Sequence, residues 1–258
     1  VLHRSTVMIT TGITMLSRCC LSTQLLCRKL EFNSPVCTQV ASLMRLEHPP
    51  SYDHVEFPEK RKLKFFDKVP KFASDQRPQK MMKDLALMRG PELIHNKLQY
   101  AEFGIQAIQG GRLKHGQIEA VRGIMYRNID EKRMFAIWRI DQPWQSVTKK
   151  GQGKRMGGGK GSIDRWELPV RPDRIILELG GTVEFKEVSK FMEQAAHILP
   201  FKARVVTKEM LIKEKEEEER IKRENINPFT FEYCAKKNFL GINIWLSPYD
   251  YRWHNKYR

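Results

Sequence analysis

The sequence predicts an α+β fold in which a two-layer antiparallel or mixed sheet is covered by two helices. Three observations predict it. Apolar residues recur at helical spacing in two separate segments, short segments have strand patterns, and one of the helices interrupts the order of the strands. We place this region over residues 102–208, with an extended basic N-terminal arm before it and a helical, aromatic C-terminal extension after it.

The first helix and the first strand are predicted between residues 117 and 140. Ile118, Val121 and Met125 recur at steps of three and four, which predicts a helix over Gln117–Ile129. The following segment, Arg133–Ile140, alternates its side chains between two faces, so we expect a strand there.

The second half of this region predicts a hairpin, a helix and a last strand. Arg165–Val170 and Ile175–Leu179 have strand patterns and are joined by a tight turn with proline at its second position, so we expect them to pair. An apolar stripe predicts a helix over Glu184–Leu199, which Pro200 ends. Lys202–Thr207 is predicted as the last strand.

The chain is strongly basic, because its 258 residues include 46 Lys+Arg and only 30 Asp+Glu, for a formal net charge of +16. This excess predicts a polyanionic partner, with nucleic acid as the first expectation and an anionic membrane surface as the second. A soluble basic protein without such a partner is the alternative. No apolar run approaches the ~18 residues that span a bilayer, so we expect no membrane span.

The first thirty residues differ in composition from the rest of the chain. They are rich in Ser and Thr, contain four Lys or Arg residues, and have no Asp or Glu before Glu31. This composition predicts a mitochondrial transit peptide over residues 1–30, and hence a location in the mitochondrial matrix; a disordered basic tail is the alternative. Residues 31–57 contain several prolines and are predicted as a linker.

Residues 58–101 are predicted as a basic arm. Aromatic residues lie between its lysines and arginines, a combination that can hold phosphates and stack on bases. A solvated linker is the alternative. Residues 209–258 are predicted as a charged helix and an aromatic tail that lacks its own core and packs against a neighbouring protein. The arm residues that we expect to contact RNA are Lys60, Arg61, Lys62 and Lys64.

The segment KRMGGGKGS, residues 154–162, combines glycine with positive charge. Glycine lets backbone N–H groups approach phosphate oxygens closely, and lysine and arginine supply charge. We therefore interpret Lys149–Gly161, which contains no acidic residue, as an RNA-binding loop; a flexible hairpin linker is the alternative. The expected contacts are Lys149, Lys150, Lys154, Arg155, Gly157, Gly158, Gly159 and Lys160.

Motifs for catalysis and cofactor binding do not match this sequence. Neither the phosphate-loop pattern nor G-x-G-x-x-G fits the glycine-rich segment. The histidines and cysteines lack zinc-ligand spacing, and G-x-S-x-G does not occur. The sequence therefore predicts no catalytic residue, no metal and no cofactor. A matrix enzyme or an assembly factor acting on RNA is the alternative function.

Several segments of the chain resemble one family. FGIQAIQGGRLKHGQIEAVR (103–122), KRMGGGKGSID (154–164) and AAHILPFKARVVTK (195–208) are similar to large-subunit ribosomal protein sixteen, the universal L-sixteen family. NPFTFE (227–232) and LSPYD (246–250) resemble the animal mitochondrial branch of that family. The segments occur in the same order as in the family, and together they form a specific signature of it.

The resemblance implies a structural protein embedded in large-subunit ribosomal RNA, and EKRKLKF (59–65) resembles the family's basic arm. It also implies a loop near the acceptor end of tRNA, close to the peptidyl transferase centre, and a role late in subunit assembly. Arg155 matches the loop arginine that some bacteria hydroxylate, and Lys160 matches the second loop lysine. Gly158 stands where bacterial members have the first loop lysine. The residues expected on the rRNA face are Arg112, Arg122 and Arg127.

Overall fold

The computed structural model describes residues 51–257. The predicted transit peptide and the predicted linker up to residue 50 lie outside the described residues. The strands are β1 (Phe103–Ala107), β2 (Gly111–Lys114), β3 (Met134–Trp138), β4 (Gln145–Lys149), β5 (Ser162–Val170), β6 (Ile175–Gly181) and β7 (Ala203–Thr207). The helices are α1 (His115–Asn128), α2 (Phe185–Ile198), α3 (Lys208–Glu224), α4 (Phe231–Lys236), a 3₁₀ helix (Phe239–Ile244) and α5 (Pro248–Trp253).

The strands form two antiparallel sheets. The larger sheet has the order β3-β6-β1-β7, and the smaller sheet has the order β2-β5-β4. Helices α1 and α2 pack against each other, and α2 also packs against β7 and β1. The predicted α+β class is therefore confirmed, with the strands divided over two sheets.

The predicted hairpin of residues 165–170 and 175–179 is wrong, because β5 and β6 lie in different sheets. Strand β6 pairs with β1 on one side and with β3 on the other, so both of its edges are occupied. The turn between β5 and β6 is bonded to β1 instead. Asp173 N donates to Ala107 O at 2.7 Å, and Ala107 N donates to Arg174 O at 2.9 Å. The chain thus crosses from the small sheet to the large one at this turn.

Strands β1, β2 and β4 were not predicted. Strand β1 is only five residues long, and all five are buried, including Gln106. Strand β4 has the polar sequence QSVTK, yet Gln145, Ser146 and Val147 are buried. It becomes a strand through pairing with β5, from Gln145 opposite Glu167 to Lys149 opposite Ser162. The loop that we inferred from the sequence therefore begins at the end of a strand.

The apolar stripes of both predicted helices are confirmed as core. In α1, Ile118 and Val121 are 1% exposed and Met125 is 0% exposed. In α2, Met192 and Ala195 are 0% exposed. These side chains meet in a single cluster that also contains residues of β1, β6 and β7. Burial at helical spacing is what packs both helices into this core.

Part of the N-terminal arm packs along β3. Leu63 and Phe66 belong to the core cluster and are each 8% exposed. The arm backbone also bonds to the strand, because Ala136 N donates to Arg61 O at 2.9 Å. Two apolar anchors and a backbone hydrogen bond therefore hold the arm against the edge of the larger sheet.

A buried carboxylate holds the chain just before β1. Glu178, in the middle of β6, is 0% exposed. It accepts hydrogen bonds from Tyr100 N at 2.7 Å and Ala101 N at 3.0 Å, and Arg139 Nε lies 3.1 Å away. Because a buried charge requires hydrogen bonds and an opposite charge, these contacts join residues 99–101 to the sheet. No motif in the sequence indicated them.

The C-terminal extension begins with α3, which contains no buried residue. Beyond it, the rings of Phe229, Tyr233 and Phe239 contact one another with centroids 5.8 to 6.1 Å apart. Trp253 lies so close to Gly90 that a Cβ at that glycine would come within 3.1 Å of the indole ring. Across residues 51–257, no helix is both long and apolar enough to cross a bilayer.

Candidate nucleic-acid interface

The glycine-rich segment forms the tip of the hairpin between β4 and β5. We call residues 150–161 the glycine loop; it starts after the pair Lys149–Ser162. The backbone of Gly157, Gly158 and Gly159 has φ values of +97°, +68° and +82°. Side chains other than glycine rarely adopt this conformation, so three consecutive residues require glycine for the observed path of the loop.

The tip of the glycine loop carries positive charge without an intramolecular counter-ion. Residues 151–160 are all exposed, and the loop contains no acidic residue. Within residues 51–257, the Arg155 guanidinium and the Lys154 ammonium have no hydrogen-bond or ion-pair partner. Met156, next to Arg155, is 96% exposed. The tip therefore presents a free guanidinium beside an unpacked apolar side chain, a combination that suits contact with a phosphate and a base.

A short segment of the arm crosses the base of this hairpin. We call residues 79–82 the strap. Met81 N donates to Ser146 Oγ at 2.9 Å, and Ser146 Oγ donates to Gln79 O at 2.6 Å. Gln145 Nε2 donates to Met82 O at 3.1 Å. Since Gln145 and Ser146 are each 1% exposed, the buried polar residues of β4 hold the strap in place.

Lys160 lies against the strap at the base of the glycine loop. Its Nζ donates to Lys80 O and to Met81 O, both at 2.9 Å. Lys80 Nζ donates in return to Lys160 O at 3.1 Å. Lys150 also turns inward, with its Nζ 2.7 Å from Gly157 O. The charged groups of the loop are therefore divided between its tip and its base.

The predicted arm residues lie on a second surface, where several of them are already paired. Lys60 and Lys64 are exposed. Arg61 donates to the carbonyl oxygens of Glu131 and Lys132. Lys62 forms an ion pair with Glu131, and its hydrogen bond to that carboxylate raises the pKa of the lysine.

The two predicted helix arginines lie on α1, and one of them contacts this arm. Arg122 forms an ion pair with Glu119 at 2.8 Å, which raises the pKa of the guanidinium, and lies over the ring of Phe65 at 5.5 Å from its centroid. Arg127 is exposed and donates from Nε to Gly123 O at 3.1 Å. Lys62 Nζ lies 3.9 Å from the ring centroid of Tyr126. We call this group, formed by residues 60–65 and α1, the arm–helix surface.

Arg112 lies apart from the glycine loop. Its side chain is only 13% exposed and lies 3.9 Å from the Glu167 carboxylate. Arg112 is opposite Pro169 in β5, whereas the loop joins β5 at Ser162. Seven residues of strand correspond to about 23 Å, so Arg112 and the loop are at opposite ends of the small sheet.

The strap was not included among the expected contacts. Lys80 lies in the basic run of the arm, but its position beside Lys160 depends on a contact between residues 80 apart in the chain. The signal that would have located it is the pair of polar residues Gln145 and Ser146, whose burial requires hydrogen-bond partners. Among residues 51–257, no group of three or more His, Cys, Asp or Glu is arranged to hold a metal ion.

Comparison with known proteins identifies the family of this chain. Residues 74–206 match the family described as ribosomal protein L16p/L10e. The chain is also 37% identical over 119 residues to large ribosomal subunit protein uL16 of Sulfurovum sp. (strain NBC37-1), an alignment that covers 46% of this chain and 82% of that protein. The match includes both sheets, both core helices and the glycine loop. The chain therefore belongs to the ribosomal protein L16p/L10e family.

Proposed function

We propose that the chain is a structural constituent of the mitochondrial large ribosomal subunit. In this role it binds large-subunit rRNA and places the glycine loop near the acceptor end of tRNA and the peptidyl transferase centre, which supports subunit assembly and mitochondrial translation. Its family consists of structural ribosomal proteins, so the chain is a large-subunit ribosomal protein and not an enzyme. Beyond this family role, we propose the mitochondrial location of the protein and the position of its glycine loop in the ribosome.

The observation that carries the proposal is the free charge at the tip of the glycine loop. Arg155 is exposed, has no partner within residues 51–257, and is separated by Met156 from three glycines with positive φ. Ordering a glycine-rich loop costs backbone conformational entropy. A polyanion that binds the positive charges of the loop can offset this cost. RNA supplies that polyanion through closely spaced phosphates.

The mitochondrial assignment is supported by the N-terminal composition. Residues 1–30 are basic, rich in Ser and Thr, and free of acidic residues. These features match a transit peptide, which directs a protein to the mitochondrial matrix. The segments NPFTFE and LSPYD, which resemble the animal mitochondrial branch, support the same assignment.

The C-terminal extension is proposed to contact neighbouring mitochondrial ribosomal proteins. Leu240 is 103% exposed, and Ile244 and Trp245 are each 83% exposed. Large apolar side chains in one short segment are rarely left in water, and such a patch is typical of a protein contact. The segment from Leu240 to Trp245, which carries these exposed side chains, is therefore the expected centre of this interface.

The proposal is tested by sedimentation of a mitochondrial lysate through a density gradient that contains high salt. We expect the protein to comigrate with the large subunit, because loosely held basic proteins are released when counter-ions compete. A variant with Arg155→Ala and Lys160→Ala should slow the accumulation of mature subunits, whereas Lys97→Ala, at an exposed lysine outside the interface, should not. Protein found only in light fractions would contradict the proposal and favour a free assembly factor that acts on RNA.

A further inference from the structure

We propose that Lys80 and Lys160 together bind one phosphodiester group of single-stranded RNA at the base of the glycine loop. The inference deepens the proposed function and rests on it, since it presumes that the loop contacts RNA. It adds Lys80 as a contact residue and gives Lys160 a role distinct from that of Arg155. The reciprocal contact between the two lysines carries it.

The reciprocal contacts place the two lysines side by side, with each ammonium group against the backbone of the other residue. Each lysine donates to the backbone carbonyl of the other, at 3.1 Å from Lys80 Nζ and at 2.9 Å from Lys160 Nζ. Lys160 Nζ donates to Met81 O as well. Both residues are exposed, so an anion can approach the pair from solvent.

No carboxylate of residues 51–257 neutralises this pair. Neither lysine forms an ion pair, although lysines elsewhere do, as Lys62 does with Glu131. The nearby acidic residues have other partners. Asp164 pairs with Arg165 at 2.8 Å, and Asp84 Oδ1 accepts a hydrogen bond from Ala86 N at 2.8 Å. Two adjacent positive charges with no counter-ion repel each other, and an anion between them removes that repulsion.

The ammonium groups retain donors for such an anion. Each lysine ammonium has three donors. The carbonyl oxygens take two from Lys160 and one from Lys80, so both groups can still donate to a ligand. A phosphodiester offers two charged oxygens, one for each lysine, which is why we assign a single phosphate to the pair.

The strap makes this site preformed. Lys80 lies between Gln79 and Met81, whose backbone groups bond to the 1% exposed Ser146. Lys160 lies two residues before Ser162, the last residue of β5 that pairs with β4 on the loop side. A site whose side chains are already positioned loses less conformational entropy on binding. Arg155, at the tip, has no comparable support and is expected to order only on contact with RNA.

The test is equilibrium binding of the full chain to a fluorescein-labelled single-stranded oligouridylate of about 12 nucleotides over a range of KCl concentrations. For single strands, the slope of log K against log salt changes by ~0.7 for each phosphate contact. Lys80→Gln and Lys160→Gln should each flatten the slope by ~0.7. The double variant should also flatten it by ~0.7, because both lysines hold the same phosphate.

The controls separate charge from structure. Glutamine still donates a hydrogen bond, so a purely structural role of Lys80 would leave the salt slope unchanged. Lys80→Arg should retain the slope of the unsubstituted chain. Lys83→Gln removes a neighbouring exposed lysine that makes no hydrogen bond with the loop, and it should change the slope less than Lys80→Gln.

Three outcomes would overturn the inference. If Lys80→Gln leaves the slope unchanged while Arg155→Ala weakens binding, the shared site is wrong and the proposed function stands. Additive changes in the double variant would show two separate phosphates. If the unsubstituted chain neither binds RNA nor comigrates with the subunit, both proposals fail.

Discussion

The glycine loop and the arm–helix surface are both basic, but their charges are used differently. Arg155 and Lys154 in the loop have no partner within residues 51–257, and Lys160 bonds only to carbonyl oxygens. On the arm–helix surface, by contrast, Lys62 pairs with Glu131 and Arg122 pairs with Glu119. A phosphate that contacts the loop would interact with cations that have no counter-ion. At the arm–helix surface it would have to compete with a carboxylate for Lys62 or Arg122.

The comparison shows that a count of basic residues does not measure the charge available to RNA. The arm also contributes Leu63 and Phe66 to the core, so it stabilises the fold as well as presenting Lys60 and Lys64 to solvent. The loop contributes nothing to the core. We therefore expect substitutions in the arm to act mainly on stability and substitutions in the loop to act mainly on RNA binding.

The largest expected effect is on stability, through Phe66. Phe66→Ala should lower the free energy of unfolding by about 3–5 kcal/mol, because it removes an aromatic side chain from the core. Chemical denaturation measures this change. Phe65→Ala is the matched control, since Phe65 is 56% exposed and its loss should cost far less. Equal losses for the two variants would contradict the assignment of the arm as a core element.

The next effect concerns RNA binding at the tip of the loop. Arg155→Ala should flatten the salt slope of oligouridylate binding by ~0.7. It should change the free energy of unfolding by less than ~0.5 kcal/mol, because the side chain is exposed and unpartnered. Fluorescence titration and chemical denaturation of the same variant measure the two quantities. A loss of stability without a change in the salt slope would contradict the prediction, because it would show that the loop acts on stability and not on RNA binding.

A third prediction concerns the carboxylates of the arm–helix surface, whose removal should leave its cations without counter-ions, as in the glycine loop. Glu131→Gln and Glu119→Gln remove the carboxylates that neutralise Lys62 and Arg122, so the double variant should bind oligouridylate more tightly than the unsubstituted chain. Its salt slope should become steeper by up to ~1.4, which corresponds to two further phosphate contacts. The double variant Glu184→Gln and Glu193→Gln, at two exposed residues, is the control because it raises the net charge by the same two units. Equal effects of the two double variants would show that net charge alone decides affinity.

The smallest expected effect is the pH dependence of the Lys62–Glu131 pair. The pKa of Lys62 is raised above 10.5, chiefly by the hydrogen bond to Glu131. A raised pKa of a lysine in the folded state means that the pair stabilises the protein below pH 10.5 and that this contribution is lost as the pH rises through the raised value. The unfolding midpoints of the native chain and Glu131→Gln should therefore converge at high pH. A difference that persists there would contradict an ionic contribution.

Much of the fold and the tip of the site could be predicted from local patterns. The stripes of α1 and α2 appear as steps of three and four, and their burial is confirmed. The glycine loop was recognised by composition, because glycine and positive charge without acid are visible in a single segment. The strands β1 and β4 were missed, since each has only five residues and is defined by its pairing with segments that are distant in the chain.

The sequence by itself determined the fold class, the two core helices, the basic character of the chain and the position of the glycine loop. These properties depend on residues that are neighbours in the chain. Only the tertiary structure decided that β5 and β6 lie in different sheets, that Lys62 pairs with Glu131, and that Lys80 meets Lys160. The physical reason is that sheet pairing, this ion pair and the burial of polar groups depend on contacts between segments that are distant in the chain. Neither the composition nor the periodicity of the sequence specifies those contacts.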